Sequence, residues 1–342
     1  FLKLLSQTVY LIGVTGTHGK TSTTALLAHI FKFNGVDISY IYGGVTSFNG
    51  IGGHYGDENL PLLLETDEAF NTFKELEINS LLITNIDYDH IDHYGSYNNL
   101  VEAFGIVITN VKDKCVINLD DTELSTFLRS GDISYSSSKI SNYKVNFPSS
   151  FNVDKKDYTI TTKLIGEHFI SNIVGAIALA NQNGISIDQC LHAIKHFDGV
   201  KRRTEYIGDF NGTNFYDDYG HHPTEIKATT KALKENTSGK LIVVFQPHRF
   251  TRTRDNYEEL RDSFGHSDLT LITDIYSAGE EPIPGVSSAM FEGKDIQYMK
   301  SPRLVPHYIK NNINPGDTVL TIGAGDITLL GPQILKYLNE NK

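Results

Sequence analysis

Residues 9–21 read VYLIGVTGTHGKT, and this stretch decides the fold of the first half of the chain. Its first seven residues are a short apolar run rich in β-branched side chains, which is typical of a buried strand. Beyond the stretch, Leu27, Ile30 and Phe31 recur at helical spacing up to a helix-termination signal at Asn34-Gly35. A glycine-rich turn between a strand and a helix presents backbone N–H groups to phosphate oxygens. The stretch therefore predicts a phosphate-binding loop.

The residues of this turn are candidates for holding the phosphates of a nucleotide: Gly16, Thr17, His18, Gly19, Lys20 and Thr21. The Lys20 side chain is long enough to reach β- and γ-phosphates, and the Thr21 hydroxyl is a suitable ligand for Mg²⁺. The spacing departs from the standard pattern, because Val14 stands where that pattern has its first glycine. A helix N-terminus behind an ordinary glycine-rich turn therefore stays open as the alternative interpretation.

The composition is that of a soluble globular protein, with 39% hydrophobic and 21% charged residues, and a length of 342 residues favours two domains. A net charge of −11 argues against a general nucleic-acid or membrane-surface binder. The sequence does not determine the oligomeric state. Cys115 and Cys190 lie far apart, which argues against a disulfide framework and indicates a cytoplasmic protein. Because the chain begins at Phe1, we expect the natural chain to extend further at its N-terminus.

Apolar runs alternate with helical patterns along both halves of the chain, which predicts α/β domains with mostly parallel sheets. The predicted strands are 9–15, 38–42, 61–65, 80–85 and 115–119 in the first half and 214–218, 241–245, 269–274 and 318–322 in the second. Residues 133–164 read as short alternating runs, which favours an antiparallel, half-exposed patch. A glycine followed by a basic run marks the domain boundary, with domains 1–198 and 199–342.

Glu65 and His90 each follow a predicted strand, so both are expected at the sheet edge that carries the phosphate loop. A cation bound to nucleotide phosphates takes one or two protein ligands, which these residues can supply. Histidine is a less usual ligand for Mg²⁺ than oxygen donors are. A surface acid and a hydrogen-bonded histidine therefore remain the alternative.

Two further polar clusters follow predicted strands of the second half. Residues 217–225 read DDYGHHPTE, at a strand-to-helix junction where ligands gather in α/β folds. There, Asp218 either bonds a ribose hydroxyl or, as an acid before Pro223, caps the next helix. Residues 245–254 read FQPHRFTRTR, and their arginines suit an anionic substrate or a phosphoryl group under transfer. A solvated basic loop is the alternative.

With these residues in place, the chain resembles the Mur ligase family over essentially its whole length, from Val9 to Leu338. The likeness rests on short motifs in a specific order: GTHGKT at 16–21, TNI at 84–86, DHID at 89–92, GVKRR at 199–203, DDYGHHPTE at 217–225, QPHRFTRT at 246–253, AGE at 278–280 and GAGD at 323–326. The resemblance implies a central P-loop domain with a mostly parallel sheet, followed by a C-terminal Rossmann-like α/β domain.

The same resemblance implies ATP and Mg²⁺ as cofactors. The implied site residues are Lys20, His248, Arg249 and Arg252 for catalysis, Asn172 and Asp218 for the nucleotide beside the phosphate loop, and Thr21, Glu65 and His90 for the metal. Within the family, the likeness is greatest to the branch that joins L-alanine to UDP-N-acetylmuramate through an acyl phosphate in peptidoglycan precursor synthesis. The alternatives are the branch that recycles a murein peptide and a nucleotide-binding fragment without ligase activity. Neither nucleic acid nor a membrane is an expected partner.

The chain departs from the family pattern in places. Residues 65–70 read ETDEAF where family members have EADESD, and Phe169 stands where an asparagine is usual. Gly105 occupies the position at which some relatives carry a carbamoylated lysine, which agrees with the alanine-adding branch. The family's N-terminal UDP-binding domain has no counterpart here. We therefore expect either a longer, three-domain parent or, if the chain is complete, weak binding of the UDP-sugar.

Overall fold

A computed structural model describes residues 1–69, 71–137, 149–153 and 156–341 of the chain. The chain forms two compact units, Phe1–Val200 and Lys201–Lys342. The boundary predicted between residues 198 and 199 lies two residues before this division. Each unit has its own mostly parallel sheet with helices, so the predicted α/β class is confirmed.

The strands of the first unit are β1 (Leu11–Thr15), β2 (Ser39–Ile41), β3 (Gly53–His54), β4 (Leu62–Glu65), β5 (Ser80–Ile83), β6 (Lys114–Asn118), β7 (Ile133–Tyr135), β8 (Ser149–Val153) and β9 (Lys156–Ile160). Its helices are α1 (Leu2–Ser6), α2 (Lys20–Phe33), α3 (Ile91–Tyr94), α4 (Tyr97–Asn110), α5 (Thr122–Ser125), α6 (Glu167–Gln182) and α7 (Ile187–Ile194). Within the described residues, the main sheet has the order β3-β2-β4-β1-β5-β6-β7, and β2–β3 is its antiparallel pair. Because β1 lies between β4 and β5, the turn after β1 is flanked by the segments that follow both neighbours.

The central strand β1 is buried on both faces, which explains its continuous apolar sequence. Ile12 and Val14 belong to the core that α2, α6 and α7 form on one face of the sheet. Leu11 belongs to the core on the other face, together with Phe104 of α4. Alternate strand residues point to opposite faces, so one short run supplies both cores.

Helix α2 is more deeply buried than its predicted apolar stripe implies. Every residue from Thr21 to Phe31 is buried, because α6 and α7 pack against the helix away from the sheet. The helix ends as predicted, with Asn34 as the C-cap and Gly35 at a φ of +78°. The phosphate loop is thus anchored on a helix with little freedom to move.

The prediction of an antiparallel patch over residues 133–164 is partly wrong. Strand β7 pairs with β6 in parallel and extends the main sheet, because its apolar side chains complete that sheet's core. Strands β8 and β9 do form an antiparallel pair. Residues 138–148 and 154–155 of this stretch lie outside the described residues.

The strands of the second unit are β10 (Glu205–Phe210), β11 (Thr213–Asp218), β12 (Leu241–Phe245), β13 (Leu269–Ile272), β14 (Ile296–Tyr298) and β15 (Thr318–Ile322). Its helices are α8 (Pro223–Glu235), α9 (Phe250–Asp255), α10 (Tyr257–Asp262), α11 (Val305–Asn312) and α12 (Leu330–Glu340). The sheet order is β10-β11-β15-β12-β13-β14, with β10 antiparallel to β11. The segments after β11, β12 and β15 therefore leave neighbouring positions of one sheet edge. In the described parts of the chain, no helix combines the length and the apolar character needed to cross a membrane.

Candidate functional site

The turn between β1 and α2 has backbone conformations that glycine adopts readily and other residues avoid. Gly16 has a φ of +130° and Gly19 a φ of +84°. A Cβ atom on Gly16 would lie 2.0 Å from Thr84 Oγ1 and 2.9 Å from the backbone nitrogen of Asn85. The turn therefore fits against the segment after β5 only with glycine at position 16.

The segment after β5 holds the phosphate loop through a set of hydrogen bonds. Asn85 accepts from the His18 backbone N–H with its side-chain oxygen at 2.9 Å and from the Thr17 N–H with its carbonyl at 3.0 Å. The Thr84 hydroxyl donates to the His18 carbonyl at 2.7 Å. Asp87 donates its backbone N–H to the Thr17 hydroxyl at 2.9 Å, and its carboxylate lies 2.9 Å from His18 Nε2. The sequence showed Thr84 and Asn85 only as part of a family motif and gave no sign of Asp87. In the structure, all three residues hold the phosphate loop in shape.

Lys20 directs its ammonium group toward the loop and toward a buried carboxylate. Its Nζ donates to the carbonyls of Gly16 at 2.8 Å and Thr17 at 3.1 Å. It also lies 2.8 Å from each oxygen of Glu68, whose side chain is 0% exposed. Burial raises the pKa of Glu68, and the neighbouring Lys20 opposes that shift. Glu68 was not among the predicted site residues, since the only signal for it was its place in the acidic run after β4.

Two of the predicted metal ligands are in contact with each other. The Thr21 hydroxyl donates to Glu65 Oε1 at 2.7 Å, and the Gly43 backbone N–H donates to Glu65 Oε2 at 2.6 Å. Thr21 begins the helix after β1, and Glu65 ends the neighbouring strand β4. Hydroxyl and carboxylate oxygens are the donors that a hard divalent cation prefers.

The third predicted metal ligand, His90, reaches the same buried carboxylate as Lys20. Its Nε2 lies 3.6 Å from Glu68 Oε1 and 3.7 Å from Asp89 Oδ2. His90 precedes α3 with a φ of +57°, a conformation that is uncommon for a residue with a side chain. Glu68 therefore lies between the phosphate-loop lysine and the candidate metal histidine.

Asn172 lies beside the phosphate loop, on the buried face of α6. A Cβ atom added at Gly19 would lie 2.8 Å from the Asn172 side-chain amide, so the amide and the loop pack closely. The contact of Asn172 with adenine stays a prediction. The residues Gly16 to Thr21, Glu65, His90 and Asn172 all belong to the first unit.

In the second unit, Asp218 is a buried acid at the end of β11. Its Oδ2 accepts from the Thr204 backbone N–H at 2.6 Å, and its Oδ1 accepts from the Gly220 N–H at 2.7 Å. Burial raises the pKa of Asp218 to about 6, although Arg203 and these N–H donors oppose the shift. The role of Asp218 as a nucleotide contact stays a prediction.

The alternative in which the acid before Pro223 caps α8 is wrong. The cap is His222, whose side chain accepts from the Thr224 N–H, while Glu225 accepts in return from the His222 N–H. Asp218 cannot serve this helix because its oxygens are held by the segments on either side of β11. A histidine in the capping position is outside the usual preference for Ser, Thr, Asp and Asn, which explains why the pattern misled.

His248, Arg249 and Arg252 lie together at the start of α9. An Arg252 Nη atom lies 3.4 Å from His248 Nδ1, and the His248 ring stacks on Tyr276 with centroids 5.5 Å apart. Burial and the two arginines lower the pKa of His248 to about 4, so its imidazole is neutral at physiological pH. Arg249 has a φ of +71°, and its N–H donates to the Tyr276 carbonyl at 2.8 Å.

Glu280, which lies outside α9 in the sequence, holds the first turn of this helix through hydrogen bonds. Its carboxylate accepts from the Thr251 backbone N–H at 3.0 Å and from the Thr251 hydroxyl at 2.6 Å, within the first turn of α9. These bonds and the nearby Arg249 lower the pKa of Glu280, against the effect of burial. The sequence showed Glu280 only as part of a family motif and gave no sign of this contact.

Two family models match the chain. One describes the Mur ligase middle domain and matches residues 14–180, and the other describes the Mur ligase glutamate ligase domain and matches residues 202–325. Together they cover all the candidate site residues described above.

The chain is also similar to named relatives. It is 33% identical to a UDP-N-acetylmuramate–L-alanine ligase of Chelativorans sp. and 34% identical to one of Mesorhizobium japonicum, in each case over 93% of this chain and 74% of the relative. Among solved structures, it is similar to the UDP-N-acetylmuramate–alanine ligase MurC of Thermotoga maritima, with a TM-score of 0.81 and 25% identity. That match covers 99% of this chain and 77% of the Thermotoga chain.

Proposed function

The chain belongs to the Mur ligase family, and we propose that it joins L-alanine to UDP-N-acetylmuramate at the expense of ATP. The observation that carries this proposal is a phosphate loop whose lysine and threonine, Lys20 and Thr21, contact carboxylates at 2.8 and 2.7 Å. The two substrates in this proposal are taken from the relatives, which are named for this reaction.

The first unit supplies the groups that bind ATP. The loop residues between Gly16 and Thr21 precede a helix of 14 residues, whose N-terminus carries unpaired N–H groups and a partial positive charge. Phosphate oxygens accept from these N–H groups, and Lys20 neutralises charge on the terminal phosphates. Asn172, packed against the loop, is proposed to contact adenine.

The donor set of the first unit fits a divalent cation. A hydroxyl and a carboxylate lie 2.7 Å apart at Thr21 and Glu65, and their oxygens are ligands that a divalent cation would take if it were bound there. We therefore assign Mg²⁺ to Thr21 and Glu65, with His90 as a further ligand. When bound, Mg²⁺ neutralises phosphate charge during transfer.

The second unit supplies the groups proposed for the acid substrate and for the released phosphate. Arg249 and Arg252 present guanidinium groups, which bind carboxylates and phosphates bidentately. His248 is neutral at physiological pH, so it can accept a hydrogen bond from an amine without repelling it electrostatically.

The reaction proceeds in two steps. A carboxylate oxygen of UDP-N-acetylmuramate attacks the γ-phosphorus of ATP, and ADP leaves with the electrons of the broken P–O bond. The amine of L-alanine then attacks the acyl carbon, loses a proton, and expels inorganic phosphate from the tetrahedral intermediate. Both steps depend on positioning and on neutralising negative charge, which the lysine, the cation and the arginines provide.

The proposal is tested by incubating the chain with ATP, Mg²⁺, UDP-N-acetylmuramate and L-alanine. We expect a product that is heavier than UDP-N-acetylmuramate by one alanine residue, with phosphate release that requires both substrates. Amide formation with a murein tripeptide but not with L-alanine would instead assign the chain to the recycling branch. Nucleotide binding without any amide product would identify a nucleotide-binding fragment.

Lys20→Ala removes the ammonium group that neutralises the transferring phosphoryl group. We expect phosphoryl transfer to fall by at least a hundredfold, as for other removals of a transition-state charge contact. The far-UV circular dichroism spectrum should keep its shape, because the backbone of α2 is held by packing, although the chain loses stability when the buried Glu68 loses its partner. Turnover within a factor of two of the unmodified chain would remove Lys20 from its proposed role.

A further inference from the structure

Glu68 is a buried carboxylate that no step of the proposed reaction uses. Its side chain is 0% exposed, and its backbone carbonyl accepts a hydrogen bond from the Tyr94 hydroxyl. A carboxylate that is withdrawn from water needs a compensating partner, and here the partner is the phosphate-loop lysine. Glu68 is therefore part of the phosphate site and not a solvated surface acid.

Glu68 and a bound phosphate would compete for the ammonium group of Lys20. Its ammonium group has three N–H bonds, and the described acceptors for them are the carbonyls of Gly16 and Thr17 and the Glu68 carboxylate. To donate to a phosphate oxygen, Lys20 must share or give up one of these acceptors. Glu68 also offsets the positive charge that would attract a polyphosphate.

The Glu68 carboxylate also lies near His90, one of the candidate metal ligands. His90 Nε2 lies 3.6 Å from Glu68 Oε1, and Asp67, which directly precedes Glu68, lies 3.9 Å from Lys20. Two acidic side chains, Asp67 and Glu68, therefore lie within 4 Å of Lys20 in the described site. The carboxylates repel a nucleotide that carries four negative charges and no cation. They repel a cation-loaded nucleotide less, because the cation offsets part of its negative charge.

We propose that Glu68 makes nucleotide binding depend on a divalent cation, by occupying Lys20 and repelling a cation-free polyphosphate. This inference rests on the proposed function, namely that the loop binds ATP and that Thr21, Glu65 and His90 hold the cation. It assigns Glu68 a selective role, in which it positions Lys20 and discriminates between free and cation-loaded ATP.

The test is calorimetric titration of ATP into the full chain, once with Mg²⁺ and once with EDTA, for the unmodified chain and for Glu68→Gln. The amide has the shape of the carboxyl group and no charge. Removing a charge near the phosphates should raise the affinity for cation-free ATP by about tenfold or more, given a Coulomb interaction at moderate dielectric. The affinity for Mg²⁺-loaded ATP should stay the same or fall. The preference for loaded over free ATP should therefore shrink by about tenfold.

Two variants serve as controls. Glu75→Gln removes the same charge from an exposed ion pair with Lys3 in the same unit, and we expect it to leave both affinities unchanged. Glu68→Asp keeps the charge, and we expect it to keep a strong preference for loaded ATP. If Glu68→Gln does not fold, the double variant Lys20→Met/Glu68→Gln removes both charges of the pair, and its preference for loaded ATP should be about tenfold smaller than that of Lys20→Met alone.

The proposal is overturned if Glu68→Gln keeps the preference of the unmodified chain or, in its place, if the double variant keeps the preference of Lys20→Met. It is also overturned if Glu68→Gln lowers both affinities equally, since that result assigns Glu68 a purely structural role. Failure of the unmodified chain to bind ATP under either condition would instead overturn the proposed function, and this inference with it.

Discussion

At the scale of single residues, the phosphate loop depends on the absence of a side chain at Gly16. A Cβ atom there would overlap Thr84 Oγ1 at 2.0 Å, and the φ of +130° disfavours any other residue. We predict that Gly16→Ala destabilises the chain by about 2–4 kcal/mol, the sum of overpacking and backbone strain. It should also weaken ATP binding, because the loop must move away from Asn85. Urea unfolding and calorimetric titration would measure the two effects.

Gly35→Ala is the matched control for this prediction. Gly35 also has a positive φ, +78°, but a Cβ atom there would meet no atom within 4 Å. The Gly35→Ala substitution should therefore lower the free energy of unfolding by only about 1 kcal/mol, through backbone strain, and leave ATP affinity unchanged. If the two variants behaved alike, close packing against Thr84 would have no special importance.

The residues of the site differ in how far their position could be predicted. Thr21 and Glu65 meet because parallel strands end at one sheet edge, which is a rule that a sequence pattern can use. Glu68 lies three residues beyond β4, where nothing in the pattern says which way a side chain turns. Its burial against Lys20 depends on the path of the following turn, which only the folded chain specifies.

At the scale of elements, the short helix α5 supports the phosphate loop through one carboxylate. Asp121 caps α5 by accepting from the Leu124 N–H at 2.9 Å, and its other oxygen accepts from the Ile86 N–H at 2.7 Å. We predict that Asp121→Ala lowers the free energy of unfolding by about 2–3 kcal/mol, for the lost cap and an unpaired N–H group. Since Ile86 lies within the segment that braces the loop, ATP affinity should fall as well.

Ser186→Ala is the control at this scale, because Ser186 caps α7 with both bonds of a capping box and does not contact the loop. Urea unfolding should show a loss of about 1 kcal/mol, and calorimetry should show unchanged ATP affinity. Equal effects of Asp121→Ala and Ser186→Ala on ATP affinity would show that Asp121 only stabilises its own helix.

Elements with a strong local pattern were predicted, and those defined by long-range pairing were not. The strands β12 and β15 have their predicted bounds, because each is a compact apolar run. Strand β10 was missed, since its burial pattern is half-exposed and it is held by antiparallel pairing with β11. The prediction places β7 in an antiparallel patch, whereas β7 pairs in parallel with β6. The three residues of β7 carry no signal for which strand it pairs with.

At the scale of the whole molecule, the second unit combines a buried acid and a half-buried histidine whose titrations have opposite effects on stability. The pKa of Asp218 is about 6, above its ordinary 3.8, so between these pH values the folded chain binds a proton that the unfolded chain has released. Stability due to Asp218 therefore falls as pH rises through this range, by about 3 kcal/mol at most. The pKa of His248 is about 4, below its ordinary 6.5, so here the unfolded chain binds the extra proton. Stability due to His248 therefore rises over nearly the same range.

These opposed effects predict that the unmodified chain has a shallow pH dependence of stability between about pH 4 and 6, and that single variants reveal the two components. Asp218→Asn should make stability rise more steeply with pH than in the unmodified chain, and His248→Gln should make it fall more steeply. Urea unfolding followed by circular dichroism at several pH values gives the difference between each variant and the unmodified chain. A carboxyl-carbon NMR titration of Asp218 should have its midpoint near 6. A midpoint near 4, or two variants whose slopes change in the same direction, would contradict this prediction, because withdrawing an acid and a base from water shifts their pKa values in opposite directions.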